Sequence, residues 1–208
     1  MSERPLTGMD DEPVPADARA EIAAAVRAAL AEHGYARLTT ANIAAESDLS
    51  EAGLYYHCDS KADMVGVFLE AAADYLAEEL AAVEAEDPEA RLRAAVDRLF
   101  TDREDESARG VDIAVMELLS HAPHDESLRD PLLAMQRNTY EHLAGVVAAG
   151  VEDGTFRDVD PEGTAAFLLA AAHGSTGFYL ALGMESAGEA LHEQVDAYVD
   201  WLAAEGGT

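Results

Sequence analysis

The chain has 208 residues, 49% of them apolar, and a formal net charge of −29, a length that holds one domain or a small module joined to a larger one. The apolar share suffices for a buried core, so the charge excess is not a sign of disorder. The single cysteine, Cys58, excludes an intrachain disulfide and a cysteine-based zinc cluster. No uncharged apolar run reaches the roughly 18 residues of a membrane span. The acidic start MSERPLTGMDDEP lacks the basic flank and apolar stretch of a secretory signal. A cytoplasmic location without a membrane partner is therefore expected.

Forty-two Asp and Glu oppose thirteen Lys and Arg, and Lys61 is the only lysine. At low ionic strength such a chain repels both itself and nucleic acid, whereas molar salt confines charge effects to about 3 Å. An acidic, lysine-poor composition with a full complement of core residues is what a cytosol of molar salt selects. The charge is uneven: residues 16–65 hold eight acids and four bases, residues 66–208 thirty and eight. The N-terminal part has resisted acidification.

In chain order, residues 1–15 carry three prolines and no apolar periodicity and read as a flexible acidic arm. From Ala16 the text is rich in alanine, leucine, glutamate and arginine, which is helical composition. A first helix is expected over 17–33, with Ile22, Val26, Ala29 and Leu30 on one face and Gly34 closing it. A short segment 40–47, a second from Ser50 to Cys58 and a helix of about six turns after Asp59-Ser60 follow. Asp87-Pro88 supplies a cap and a first-turn proline for the next helix. Further helices are expected at 88–100, 108–119, 126–150, 161–183 and 186–204. With no strand pattern or repeat, the fold class is all-α: an N-terminal three-helix bundle followed by a larger helical domain.

The stretch TTANIAAESDLSEAGLYYH fits a helix-turn-helix. Thr40 is placed to cap the first short helix, Ile43 and Ala44 face inward, Asp48 occupies the turn and Leu49 seals it. Ser50 caps the second helix, and Leu54 points back to Ile43. That helix offers small residues and tyrosines to a major groove, which admits an α-helix. Lys61 lies in the first turn of the next helix, where the helix dipole disfavours a cation; an external anion would explain its retention.

The residues from Ala20 to Leu69, with Gly34, Thr39-Thr40, Ile43-Ala44, Leu49-Ser50 and above all LYYHCDSKADM at 54–64, resemble the DNA-binding domain of the TetR family of one-component regulators. The resemblance covers about 50 residues. It implies a helix-turn-helix DNA-binding domain at 16–65 and a helical ligand-binding and dimerisation domain at 66–208. It also implies a homodimer on double-stranded operator DNA, typically a repressor released by a small-molecule effector. By position, phosphate contacts fall to Thr40, Tyr55, His57 and Lys61, and base-proximal places to Ser50, Glu51, Ala52 and Tyr56, with Gly53 allowing close approach. Two departures from the family pattern stand out: Asp48 where glycine is usual, and Cys58 where an aromatic or aliphatic core residue is common. The carboxylate of Glu51 must either accept from a base or be held clear of phosphate.

In the C-terminal part, Phe100, Met116, Met135, Tyr140, Phe167, His173 and Phe178 are candidate walls of an effector pocket, for which an apolar or cationic ligand is expected. Small residues in 161–183, with Phe167, Leu168, Phe178 and Leu182, and Leu191, Val195, Tyr198, Val199 and Leu202 beyond, are candidates for a four-helix dimer interface. His121 and His124 are separated by Pro123, which breaks helical ligand spacing, so no metal site is expected. There is no H-E-x-x-H pair, phosphate loop or serine elbow, so neither an enzyme nor a cofactor is expected. The competing reading is a helical ligand-binding or protein-interaction module that no longer binds DNA.

If the acidity is a salt adaptation, thermal melts in about 0.1 M and 3 M potassium chloride will differ by more than roughly 10 °C, the high-salt form melting later. Equal melting temperatures would remove that explanation.

Overall fold

The computed structural model describes residues 14–81, 87–100 and 106–203. Nearly all of the expected N-terminal arm lies outside that range. Among the described residues the structure is all-α: α1 (Ala16–His33), α2 (Thr40–Ala45), α3 (Glu51–His57), α4 (Lys61–Ala81), α5 (Pro88–Phe100), α6 (Glu106–His121), α7 (Glu126–Asp153), α8 (Pro161–Thr176) and α9 (Glu185–Ala203). A single 3₁₀ turn at Tyr35–Arg37 joins α1 to α2, and a π-helical turn at Gly177–Ala181 follows α8.

The helix ends have local causes. Gly34, at φ 67°, turns the chain out of α1 while its N–H donates to the Leu30 carbonyl. Asp125 and Asp160 accept from the amides of Ser127 and Glu162 at the starts of α7 and α8. Three expectations need correction. Thr39, not Thr40, caps α2: its hydroxyl accepts from Asn42 N–H, and the Asn42 side chain accepts from Thr39 N–H in return. The reciprocal pair satisfies two exposed amides that Thr40, one residue inside the helix, cannot reach. Helix α7 continues to Asp153, where Gly154 at φ 81° ends it. Helix α8 gives way to the π-helical turn at Gly177 rather than running regularly to 183.

Two buried apolar clusters organise the packing. The first joins Ile22, Val26 and Leu30 of α1 with Ile43, Leu54, Met64 and Leu69, and it also takes in Ala114 and Leu118 of α6 and Leu128 and Leu132 of α7. The second unites α5, the second half of α7, α8 and α9 through Leu92, Val96, Leu143, Val147, Leu168 and Val199. The 28-residue α7 contributes to both. The helix-turn-helix is therefore not packed on itself alone; α6 and α7 complete its core. Cys58 lies in this first cluster, and burial, followed by the nearby Asp63 and Asp59 carboxylates, pushes its thiol up to about 11. It is a protonated core residue at neutral pH.

Helices α1 and α6 cross at very close range. A Cβ built on Gly110 would lie 2.4 Å from the Ala31 carbonyl oxygen. Gly145, in the interior of α7, has nothing within 4 Å of such an atom. Gly110→Ala is thus expected to force the helices apart at a cost of about 1–3 kcal/mol, while Gly145→Ala should stabilise by about 0.5–1 kcal/mol through helix propensity. Melts of both variants at one high salt concentration check this pair; equal shifts would contradict the close crossing.

Candidate nucleic-acid interface and internal cavity

Helices α2 and α3 form the helix-turn-helix. Leu54 and Ile43 are fully buried against each other's neighbours in the first cluster, which fixes the angle between the two short helices. The turn is held from outside: Glu21 of α1 accepts from the Ser47 hydroxyl and from the Asp48 N–H, each at 2.8 Å. These two bonds hold the Glu21 carboxyl below its ordinary value. Asp48 therefore stands where its amide is tied down from α1, by a residue 27 positions away in sequence. Ser50 caps α3 by accepting from Gly53 N–H at 3.2 Å.

The structure brings most of the sequence-predicted DNA-facing residues to one surface. Ser50, Glu51 and Ala52 are exposed at the start of α3, and Tyr55 and Tyr56 are exposed along it, Tyr56 most of all at 84%. The His57 ring meets Tyr56 edge-on at 5.0 Å. Gly53 differs: a Cβ there would sit 3.5 Å from Leu49 Cβ, so this residue faces the turn rather than the outer edge of the helix. Thr40 donates its hydroxyl to Glu51 Oε1 at 3.2 Å, which draws the one carboxylate of the recognition surface back toward α2.

Lys61 has partners within the chain. Its Nζ donates to the Leu38 carbonyl at 3.1 Å and stands 4.6 Å from the centre of the Tyr35 ring. An external anion is thus not needed to explain this lysine at a helix N-terminus; a carbonyl and an aromatic face hold the ammonium. Arg37, exposed in the same turn with its Nε donating to the His33 carbonyl, is a cation that motif reading passed over. Its signal was available: it is one of only four bases in residues 16–65.

A cavity of about 650 Å³ lies between the two clusters, bounded by α1, α4, α5, α6, α7 and α8, within the range of small-molecule sites. Of the seven residues expected on its wall, Met116, Met135 and His173 are there. The other four are elsewhere among the described residues. Phe100 is buried in the second cluster and stacks on His192. Tyr140 packs against that cluster. Phe167 and Phe178 are each 45% exposed, because their positions on and after α8 face away from α7. His173 shares a hydrogen bond of 2.8 Å with Gln136, and burial holds its pKa below the ordinary histidine value; the ring is neutral at pH 7. His142, beside a smaller hollow of about 200 Å³, is lowered likewise by burial and then by Arg91.

Helix α6 connects the cavity to the helix-turn-helix. Val111, Asp112, Val115 and Met116 line the cavity. The next residue, Glu117, accepts with one oxygen from the Tyr35 and Ala36 amides at 2.6 and 3.2 Å. The ring of His121, at the end of the same helix, meets Tyr35 edge-on at 5.1 Å. One face of α6 thus touches any cavity occupant and the other grips the turn whose Leu38 and Tyr35 hold Lys61. No metal site is expected at His121 and His124, and the nearby Glu117 is engaged by backbone amides.

Comparison with known proteins agrees with this arrangement. Residues 22–67 match the family model for bacterial regulatory proteins of the tetR family, and residues 88–204 match that for the C-terminal part of BetI-type transcriptional repressors. Among solved structures, a TetR transcription regulator from Haloarcula marismortui is similar with 31% identity and a TM-score of 0.79, covering 89% of this chain and 98% of that one. A regulator from Saccharomonospora viridis, solved with choline, has 22% identity and a TM-score of 0.75 over 89% and 97% of the two chains. FadR from Bacillus subtilis, solved with stearoyl-CoA, has 15% identity and a TM-score of 0.70 over 91% and 99%. No curated protein sequence matches. The chain belongs to the TetR family of transcriptional regulators. No helix among the described residues is long and apolar enough to cross a membrane.

Proposed function

We propose that this regulator is a homodimeric repressor that binds operator DNA through α3 and leaves it when a small molecule occupies the cavity. The observation that carries this reading is the double role of α6, whose Val111, Asp112, Val115 and Met116 bound the cavity while Glu117 holds the Tyr35–Ala36 turn. A ligand that favours one position of α6 shifts the placement of the helix-turn-helix by its differential affinity for the two positions. Relatives of this fold were solved with choline and with stearoyl-CoA, which differ in charge and size, so the fold leaves the effector's chemistry open.

In this reading Tyr55, His57, Thr40 and Lys61 meet phosphates, and Ser50, Glu51, Ala52 and Tyr56 lie near base edges, Glu51 steadied by Thr40. Gly53 serves the turn. Lys61, already bonded to Leu38, keeps two further N–H donors for phosphate. Dimerisation is supported by an exposed row poor in charge in a chain of −29: Ala166, Phe167 and Ala170 of α8 and Ala190, Gln194, Ala197 and Trp201 of α9, with the Arg157 guanidinium 5.0 Å from the Trp201 ring centre at its end. Phe167, Tyr198 and Trp201 form one aromatic row across it, with ring centres 5.0 and 5.6 Å apart. Leu168, Val195, Val199 and Leu202, expected at that interface, are instead buried within the chain; the period of the two helices turns them toward α5 and α7.

Two recognition helices of such a dimer would enter successive major grooves about 34 Å apart on a pseudo-palindrome. Competition binding in high salt with operator and scrambled duplexes tests the reading. Lys61→Ala should weaken all duplexes alike, by roughly 1 kcal/mol, and Tyr56→Phe should alter the preference among half-sites. Unchanged binding by both variants on a selected operator would remove the reading surface. Absence of any duplex binding would favour a ligand-binding module without DNA, the reading to which the intrachain partners of Lys61 lend weight.

A further inference from the structure

The polar groups that the cavity wall takes from α7 and α8 are uncharged. Helix α7 gives Gln136 and Thr139, and α8 gives His173 and Thr176. Burial lowers the His173 pKa, so the ring is neutral at pH 7. The charged residues of the wall stand on other helices, Arg27 on α1, Arg98 on α5 and Asp112 on α6, and Arg98 and Asp112 are already engaged with partners.

The hydrogen-bonding capacity on the α7–α8 side is only partly used. His173 Nε2 and Gln136 Oε1 lie 2.8 Å apart. Two arrangements give that bond: the ring N–H donates to the amide oxygen, or, with the amide turned over, the amide N–H donates to the ring nitrogen. The first leaves Nδ1 as an acceptor and the amide nitrogen as a donor. The second leaves an Nδ1–H donor and the amide oxygen as an acceptor. In both, the pair keeps one donor and one acceptor to spare. Thr139 and Thr176 donate their hydroxyls to the Met135 and Ala172 carbonyls, each at 3.2 Å, which uses their protons and leaves their oxygens able only to accept. Among the described residues the one buried side-chain nitrogen or oxygen without a hydrogen-bond partner is His192 Nε2, so the spare atoms of His173 and Gln136 open onto the space they border and are not sealed in the core.

A ligand group seated here must donate as well as accept. A carboxylate only accepts and would meet lone pairs, an ether likewise cannot donate, and an ammonium cannot accept. The remainder of the wall is mainly aliphatic, with Leu76, Leu99, Val115, Met116, Met135 and Leu169 around the interior, and methionines adapt to an irregular apolar body. We infer that the cavity takes an apolar, uncharged molecule carrying a hydroxyl or a primary amide, with that group between His173 and Gln136 and the body among the aliphatic residues. The two groups share the required chemistry, one donor and one acceptor on a neutral centre. The inference rests on the reading of this cavity as the effector site, and it makes His173 and Gln136 the residues that set ligand specificity.

Calorimetric titration of the full chain in 3 M potassium chloride with 1-octanol, its isomer heptyl methyl ether, heptanamide, octanoate and octylammonium tests it. Octanol or heptanamide, whichever group is the right one, should bind at least tenfold more tightly than the ether and both ions, because those leave donors or acceptors of the site unanswered. His173→Phe and Gln136→Leu should each lower the affinity of the preferred probe about tenfold, to the level of the ether, while ether binding changes less than twofold. Gln136→Leu keeps the test open if His173→Phe fails to fold, and the ranking of probes on the wild-type chain needs neither variant. Ether binding equal to that of octanol and heptanamide, tighter binding of octanoate or octylammonium, a preference that survives both variants, or no binding of octanol and heptanamide overturns the inference. Preferred binding of octanol or heptanamide that leaves operator affinity unchanged would uphold the ligand class and refute the effector reading instead.

Discussion

The contact on which the remaining structure depends is the one between Glu117 and the Tyr35–Ala36 amides. These amides follow Gly34, where α1 has ended, and they have no helical partner of their own. A carboxylate from α6, 82 residues away, supplies the acceptor. Charge-assisted bonds of this kind contribute about 1.5–3 kcal/mol each when shielded from water, less at a half-exposed edge such as this. The Gly110–Ala31 approach two turns earlier on α6 holds α6 against α1 at backbone contact. Together they make α6 a strut between cavity and helix-turn-helix, and the Lys61–Leu38 bond extends it to the start of α4.

The same contact is of the kind that strong salt leaves in place in a chain of −29. Interactions that survive screening are those at contact range: caps, amide-to-carboxylate bonds and the arginine pairs such as Arg93 with Glu89 and Asp200, each at 2.7 Å. Long-range repulsion is what salt removes. Exposed pairs like Arg19 with Glu70 and Asp74 add little individually, so cohesion rests on the two apolar clusters and on the amides that acids cap. For the same reason the proposed DNA surface would rely on hydrogen-bond contact by tyrosines, threonine and one lysine rather than on a broad positive field.

The helices were legible because alanine-rich periodicity, caps and breakers are local. Gly34, Ser50, Asp87-Pro88 and Asp160-Pro161 each mark an end from within four residues. The exposed row of α3 was legible from the run Leu54 to Met64. What the sequence hid is long-range. Nothing near Glu21 or Glu117 in the text announces that these acids cap the Asp48 and Tyr35 amides. Aromatic type misled for the cavity: Phe167 and Phe178 suggested a pocket wall, but α8 turns them outward, and alanines on α1 and α4 open the space instead. Arg27 carried no signal in the text, since only the packing of α1 against α4 and α6 gives it a cavity to border.

The most direct measurement is amide hydrogen exchange at Tyr35 and Ala36 in the wild-type chain and in Met116→Trp, which fills part of the cavity from α6 itself. If α6 is the strut, the larger side chain displaces Glu117 and exchange at both amides accelerates at least tenfold. The Gly34 amide, bonded to Leu30 within α1, stays as slow as before. Unchanged exchange at Tyr35 and Ala36, with the tryptophan seated in the cavity, would contradict the connection between cavity and helix-turn-helix.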